Sequence, residues 1–331
     1  MSLVQHAPSF DDAQAATIAN DVYGISGVVK ALPSERDQNF LFTADTGERF
    51  VLKIANSLEQ RALLEAQNEA MRHLQTRVDF CPRVVKARSG ESIVQVSTKT
   101  TPHYVRLVTF IPGLPLANVN QSSDVLVGLG KKLGQLTSAL SDFDQEAFHR
   151  DFHWDLANGL NVIREYELLV TDAVLQLQLE SCVQRFEKVV VPRLPRLRRS
   201  IIHADANDHN VIVADERIAG IIDFGDMVYS YTVGELAISL AYVVLGKKDP
   251  LACVKNVVAA YVSEWMLTED ELESLWTLML MRLCMSVCLA AFQQSQKPDN
   301  QYLDISQQSI RQSLPLLLEI DLDQVSRVLR A

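Results

Sequence analysis

The chain has 331 residues, 48% of them hydrophobic and 22% charged, and carries a formal net charge of −10. It is long enough for two lobes with a sizeable core, and this globular composition excludes general disorder. The acidic balance argues against nonspecific nucleic-acid binding, which needs a basic footprint, and is compatible with a cationic or zwitterionic ligand.

Met1 to Pro8 lacks a charged stretch followed by an apolar one, so no secretory signal is expected. Short runs rich in β-branched or aromatic residues follow at Ile25 to Leu32, Asn39 to Thr43, Arg49 to Ile54, Ser92 to Val96 and His103 to Ile111, and they predict a small antiparallel sheet. Between the third and fourth runs, Leu58 to Thr76 sets Leu63, Leu64, Met71 and Leu74 among polar residues, which predicts one amphipathic helix inserted into that sheet. Pro112-Gly113 breaks the pattern and divides a β-rich lobe, residues 1–111, from a mainly helical lobe, residues 112–331.

Beyond the break, long apolar periodicities predict helices over Ser123 to Ser141, Gly159 to Phe186, Thr232 to Leu245, Leu251 to Met266, Glu269 to Gln294 and Asp304 to Glu319. Only a hairpin before Asp223 is expected to interrupt them. Leu275 to Phe292 has the length of a membrane span, but Arg282 near its middle and Glu269-Asp270-Glu271 before it predict a buried helix and no membrane. The five cysteines form no Cys-x-x-Cys pair and have no His at metal-ligand spacing, so they are expected to be reduced core residues of a cytoplasmic protein.

The chemistry concentrates in Ile201-Ile202-His203-Ala204-Asp205-Ala206-Asn207-Asp208-His209-Asn210 and in Gly220-Ile221-Ile222-Asp223-Phe224-Gly225-Asp226. Moving a γ-phosphoryl group needs a carboxylate to orient the acceptor hydroxyl and oxygen ligands to hold Mg²⁺ against the phosphates. Asp205 suits the base, and Asn210 and Asp223 suit the metal. A hairpin from Val211 to Ile222 returns Asp223 to the same end as Asp205. Either motif alone reads as ordinary loop capping; the pair is harder to explain that way.

Lys53 stands on the otherwise apolar strand Phe50-Val51-Leu52-Lys53-Ile54. Either it points to solvent, or it meets nucleotide phosphates with a helix glutamate, Glu65 or Glu69, steadying it. The loop Pro33-Ser34-Glu35-Arg36-Asp37-Gln38-Asn39 between the first two strands is no P-loop. Ser34, Arg36 and backbone N–H groups either contact phosphate oxygens or form a plain solvated turn.

These segments, together with Val105-Arg106-Leu107-Val108-Thr109-Phe110-Ile111-Pro112-Gly113, resemble the aminoglycoside phosphotransferase and choline kinase superfamily. Asn207-Asp208-His209-Asn210, Asp226-Met227 and Phe152-His153-Trp154-Asp155-Leu156 look closest to hydroxylysine kinases, with type II homoserine kinases more distant. The resemblance implies an α+β, protein-kinase-like two-lobed fold and a kinase that phosphorylates a hydroxyl of a small amino-bearing metabolite, using ATP or GTP with Mg²⁺. It implies Asp205 as base, Asn210 and Asp223 as Mg²⁺ ligands, Lys53 as the phosphate-binding lysine, and the backbone from Leu107 to Ile111, with Thr109 and Ile111, as nucleobase contacts.

Asp208 and Asp226 are candidates for a substrate ammonium, and Trp154 and Asp155 for the acceptor pocket; each also has an ordinary structural reading as a cap or a packed aromatic. His203 is expected to hold the loop by hydrogen bonds. The family usually has Gly where this chain has Ala204. If that Gly serves a positive φ, Ala strains the loop by about 1 kcal/mol or more; if it serves only close packing, the methyl is tolerated. The alternatives to a hydroxylysine-type kinase are an aminoglycoside or homoserine kinase and a degenerate nucleotide-binding protein.

Overall fold

In the computed structural model, which describes residues 7–34, 36–97, 101–296 and 306–330, the chain divides into two units, Met1–Pro112 and Gly113–Ala331.

The first unit opens with helix α1 (Asp12–Ile18), whose start is set by a reciprocal cap between Asp11 and Gln14. Then come β1 (Gly27–Leu32), β2 (Gln38–Ala44), β3 (Arg49–Ile54), α2 (Arg61–Gln75), β4 (Val84–Val85), β5 (Val94–Ser97) and β6 (Pro102–Thr109). The sheet is antiparallel, in the order β1-β2-β3-β6-β4, with β5 also paired to β6. Alternation puts Phe40, Leu52, Ile54, Val105 and Leu107 on one face, where Phe10, Ala15 and Tyr23 close a core over them. Arg106, one residue out of phase, points the other way and donates to Leu64 O and Asn68 Oδ1 of α2. The inserted helix therefore lies on the face that also carries Lys53, the cross-strand partner of Arg106. Neither α1 nor β4 was legible in the strand pattern.

The second unit begins with β7 (Leu114–Pro115), α3 (Ser123–Leu140), α4 (Gly159–Tyr166) and α5 (Ala173–Val189). It continues through β8 (Arg199–Ile202), β9 (Val211–Ala214), β10 (Arg217–Ile221), β11 (Val228–Tyr231), α6 (Gly234–Val243), α7 (Pro250–Val262), α8 (Glu269–Gln296), α9 (Gln307–Glu319) and α10 (Leu322–Leu329). Side-chain oxygens of Ser122, Asp172, Asp249 and Asp321 cap α3, α5, α7 and α10. The cap at Asp172 explains one departure from expectation: Gly159 to Phe186 is two helices, because Asp172 accepts from Val174 N and Leu175 N and starts a new one. Residues 304 and 305, expected to open the helix that ends at Glu319, lie outside the described residues.

The β9–β10 hairpin turns through Asp215 (φ 49°) and Glu216 (φ 58°), the mirror-image turn that matches strand twist. It is not the only interruption of the helices: β8 pairs with β11, and β7 pairs with β9. Gly113, at φ 143°, enters β7 so close to β9 that a Cβ would lie 2.4 Å from Val213 O, a position that only glycine fits. Helix α8 contains an apolar window of mean hydropathy 1.9, yet 89% of that window is buried among the surrounding helices. It is the core helix of this unit.

Candidate active site

Strand β8 ends at Ile202, and the chain leaves it through a loop whose hydrogen bonds are mostly internal. Asn207 Oδ1 accepts from the backbone N–H groups of His209 (2.8 Å) and Asn210 (3.1 Å), an Asx turn that curls the loop back on itself. Asp205 and Asn210 are thereby brought face to face: Asn210 Nδ2 donates to Asp205 Oδ2 at 2.7 Å and to Asp205 O at 3.0 Å. With its nitrogen committed to Asp205, the Asn210 amide offers its oxygen to a cation.

The second loop follows β10. Ile222 N donates to Asn210 O at 2.9 Å, so the two loops touch at their backbones. Asp223 adopts φ 63° and its Oδ1 accepts from Gly225 N at 3.3 Å. His203 joins the loops through both ring nitrogens. Nε2 lies 3.1 Å from Ile222 O and must carry the proton, because a carbonyl only accepts; Nδ1 then accepts from Asp205 N at 3.3 Å. Arg150 grips the end of the second loop, donating to Gly225 O (3.1 Å) and Met227 O (3.0 Å).

Two charged residues outside these motifs complete the arrangement. Arg282 of α8, 2% exposed, donates from Nη2 to Asp205 Oδ1 at 3.1 Å. The Asp205 side chain keeps 21% of its surface exposed. Burial raises the Asp205 carboxyl well above the usual carboxylate range, the like charge of Asp226 adds to this, and Arg282 partly offsets it. Glu235, at the start of α6, is the second: its Oε2 accepts from His203 N at 2.6 Å and from Ala204 N at 3.4 Å. Burial pushes its carboxyl up to about 7 against those two hydrogen bonds.

Ala204 sits at φ 64°, the left-handed region. Of the two roles expected for a glycine here, the positive φ is the one required, so the methyl strains the backbone.

Of the remaining sequence candidates in this unit, Asp226 is buried and close enough to Asp205 to perturb it. Trp154 lies under Arg282, with the guanidinium carbon 4.6 Å from the ring centroid, and its carbonyl accepts from Arg282 Nη1 at 3.0 Å. Asp155 does not join that group. Its Oδ1 accepts from Ala157 N (2.9 Å) and from the Ser230 hydroxyl, as a turn cap does. The backbone carbonyl of Asp208 accepts from Ala117 N at 2.8 Å.

In the first unit, Lys53 stands between Asn39 of β2 and Arg106 of β6 in cross-strand register. Glu65 has turned outward: half exposed, it pairs with Arg61 at 2.8 Å. Glu69, one turn further along, is partly buried. In the loop between β1 and β2, Ser34 Oγ accepts from Asn39 Nδ2 (3.3 Å) and Arg36 O accepts from Asn56 Nδ2 (3.1 Å), while Asn56 N donates to Asp37 Oδ1 at 3.0 Å. The loop is thus anchored to the residues that follow β3. Glu35 lies outside the described residues. The N–H of Thr109 is taken by Arg83 O at 2.9 Å and that of Phe110 by Arg49 O at 3.1 Å.

Sequence reasoning missed Arg282 and Glu235 as parts of the site. The available signal was a lone charge in an apolar helix: Arg282 is the only charged residue between Glu273 and the end of α8, and Glu235 the only one between Asp226 and Lys247. Burying such a charge costs several kcal/mol, roughly, unless a partner meets it.

The chain matches the family described as "Phosphotransferase enzyme family" over residues 28–272. A hydroxylysine kinase of Danio rerio is 30% identical across 99% of this chain and 97% of its own length. A homoserine kinase of Methylobacillus flagellatus is 27% identical across 61% of this chain and 59% of its own. Among solved structures, an amicoumacin kinase in complex with AMP-PNP, Ca²⁺ and Ami matches with a TM-score of 0.74 at 15% identity, over 96% of this chain and 97% of that one; the fold is α+β and protein-kinase-like. The chain therefore belongs to the phosphotransferase enzyme family and is a small-molecule kinase, moving a phosphoryl group from a nucleotide to a hydroxyl.

Proposed function

We propose that the chain phosphorylates the side-chain hydroxyl of a hydroxylysine-like amino acid or a related amino alcohol, with ATP or GTP as donor and Mg²⁺ as the metal. The observation that carries the reading is the Asp205 carboxylate, held by Asn210 at 2.7 Å on the loop that His203 ties to the backbone before Asp223. The likeness to hydroxylysine kinases along the whole chain supports the acceptor class.

Asp205 accepts the proton of the acceptor hydroxyl, whose oxygen attacks the γ-phosphorus as the bond to the bridging oxygen breaks and the nucleoside diphosphate leaves. Asp223 and the Asn210 amide oxygen are hard oxygen donors of the kind Mg²⁺ prefers, and Mg²⁺ is commonly held by one or two protein oxygens with phosphates and water. Bound there, it would neutralise charge on the phosphates. Lys53 binds the donor phosphates and Glu69 is assigned as its carboxylate partner, since Glu65 is engaged at the surface by Arg61. Ser34 and Arg36 cover the phosphates. Ile111 supplies the N–H to the nucleobase, because that of Thr109 is already used; the Thr109 contact is left to its carbonyl.

Asp226 and the Trp154 ring are assigned to the acceptor, the carboxylate for its ammonium and the ring for its methylene chain. Asp208 is the weaker ammonium candidate, and Asp155 is assigned to turn capping.

The strain at Ala204 favours a second reading, a nucleotide-binding protein that no longer turns over. One experiment separates them. A coupled nucleotide-consumption screen, run with ATP and with GTP across hydroxylated amino acids, amino alcohols and aminoglycosides, is expected to show turnover with hydroxylysine and loss of it in Asp205→Asn with nucleotide binding retained. Turnover with homoserine or an aminoglycoside instead reassigns the acceptor, and binding without turnover across the panel selects the second reading.

A further inference from the structure

Asp205 receives three side-chain hydrogen bonds. Asn207 Nδ2 (2.9 Å) and Arg282 Nη2 (3.1 Å) donate to Oδ1, and Asn210 Nδ2 (2.7 Å) donates to Oδ2. Asn207 and Asn210 belong to the same loop as Asp205 and move with it. Among the described residues, Arg282 is the only side-chain donor to this carboxylate from another element. It alone ties the carboxylate to a helix 77 positions away.

The helix is built to hold that arginine still. Arg282 is fully enclosed, and its other two nitrogens are also engaged: Nη1 on Trp154 O (3.0 Å) and Nε on Tyr242 Oη (3.4 Å), with the Trp154 ring against the guanidinium face. Gly159, at the start of α4, packs so tightly on α8 that a Cβ there would come within 2.8 Å of Met281 Cγ and 2.9 Å of Met285 Sδ. Those two methionines flank Arg282 on the helix, so α4 packs against α8 at the level of the arginine. An apolar residue at this position would spare the large cost of burying a guanidinium. A guanidinium in such a setting points to a role beyond packing.

We infer that Arg282 is the positioning residue of the transfer: it fixes the Asp205 carboxylate, through Oδ1, in the orientation that leaves it facing the acceptor hydroxyl. This rests on the assignment of Asp205 as the base. Arg282 does not touch the reacting atoms. It acts through Asp205, and because catalytic geometry tolerates little displacement, its loss should fall on the chemical step.

The test uses the full chain with hydroxylysine as acceptor. Arg282→Met is expected to lower kcat by about 100-fold, with KM for nucleotide and for hydroxylysine changed by less than about threefold. Arg282→Lys, which keeps a charge within reach of Oδ1, should recover about tenfold of that loss. A crystal structure of Arg282→Met should show the Asp205 carboxylate rotated away while Asn210 and Asp223 hold their places. A rise in KM for hydroxylysine at unchanged kcat overturns the inference, since Arg282 would then read the acceptor carboxylate. Unchanged kinetics, or Arg282→Lys no better than Arg282→Met, overturns it as well. An undisplaced Asp205 in the crystal overturns it whether or not hydroxylysine turns over. Full activity in Asp205→Asn, by contrast, removes the base assignment itself and is distinguishable from all of these.

Discussion

The carboxylate of Glu235 accepts the backbone N–H of Ala204, and of His203 beside it, while Ala204 stands at φ 64°. A residue with a side chain in the left-handed region is costly by about 1–2 kcal/mol. The charge-assisted hydrogen bond at 2.6 Å from His203 N, with the longer one from Ala204, is of the strength that can offset this. The strain expected from an alanine in place of glycine is therefore real, and a residue 31 positions away opposes it.

Ala204→Gly is predicted to change stability by less than about 1 kcal/mol. Relief of about 1 kcal/mol or more of strain is opposed by the lost burial of one methyl, about 0.8 kcal/mol, and by the greater freedom of glycine in the unfolded chain. Turnover should remain within about threefold of the parent. Ala204→Val adds a β-branched residue at positive φ in a fully buried position and should cost more than about 3 kcal/mol. Thermal unfolding and kcat check both; a Gly variant more stable by several kcal/mol would mean that the strain at Ala204 exceeds the usual cost of a left-handed residue.

Glu235 also confers a pH dependence. Its carboxyl ordinarily titrates at 4.5 and is pushed up to about 7 in the folded chain. Between those values the folded state binds more protons than the unfolded one, so stability falls as pH rises from about 4.5 to 7, by up to about 3 kcal/mol. Tyr261, whose hydroxyl donates to Thr137, lies close enough to Glu235 to feel its charge, and burial raises its own titration above the ordinary value. Glu235→Gln should match the parent near pH 5 and exceed it in melting temperature by several degrees near pH 8. A difference independent of pH between 5 and 8 would rule out this titration.

In the first unit, Lys53→Met should weaken nucleotide binding or lower kcat by about 100-fold, whereas Glu65→Gln should leave both within about twofold. The reason is the exposed pair of Glu65 with Arg61, since such pairs contribute about 0–1 kcal/mol. Glu69→Gln is expected to follow Lys53→Met. Calorimetric titration with nucleotide separates the three, and a large effect at Glu65 would return it as the partner.

Chelation should abolish turnover and added Mg²⁺ should restore it. Asn210→Ala removes the amide oxygen and also the donor to Asp205 Oδ2. It should raise the Mg²⁺ concentration for half-maximal rate by about tenfold or more and lower kcat at saturating Mg²⁺. Asp223→Asn should be more severe, because it removes a charge at the metal. An Asn210→Ala enzyme with unaltered Mg²⁺ dependence would take Asn210 out of the metal set.

The small antiparallel sheet and its inserted helix were legible because β1 to β3 and β6 are short runs rich in β-branched or aromatic residues and α2 carries an apolar stripe, which are local signals. The split at Asp172 was missed because the apolar rhythm runs on across it, and only the cap shows that a new helix starts. Strand β11 escaped for another reason: Val228–Tyr231 becomes a strand only by pairing with β8, and nothing in four residues announces a partner.

By itself the sequence determined the chemistry available. It placed a carboxylate, an amide and a second carboxylate on two loops joined by a hairpin, because residue type and short spacing govern such loops directly. Tertiary structure alone decided what surrounds them: that Arg282 and Glu235 reach the loop, that Ala204 is held at positive φ, and that Glu65 rather than Glu69 faces solvent. Periodicity assigns a residue to a helix face, but which element meets that face depends on how distant helices pack, and a lone buried charge declares only that a partner must exist.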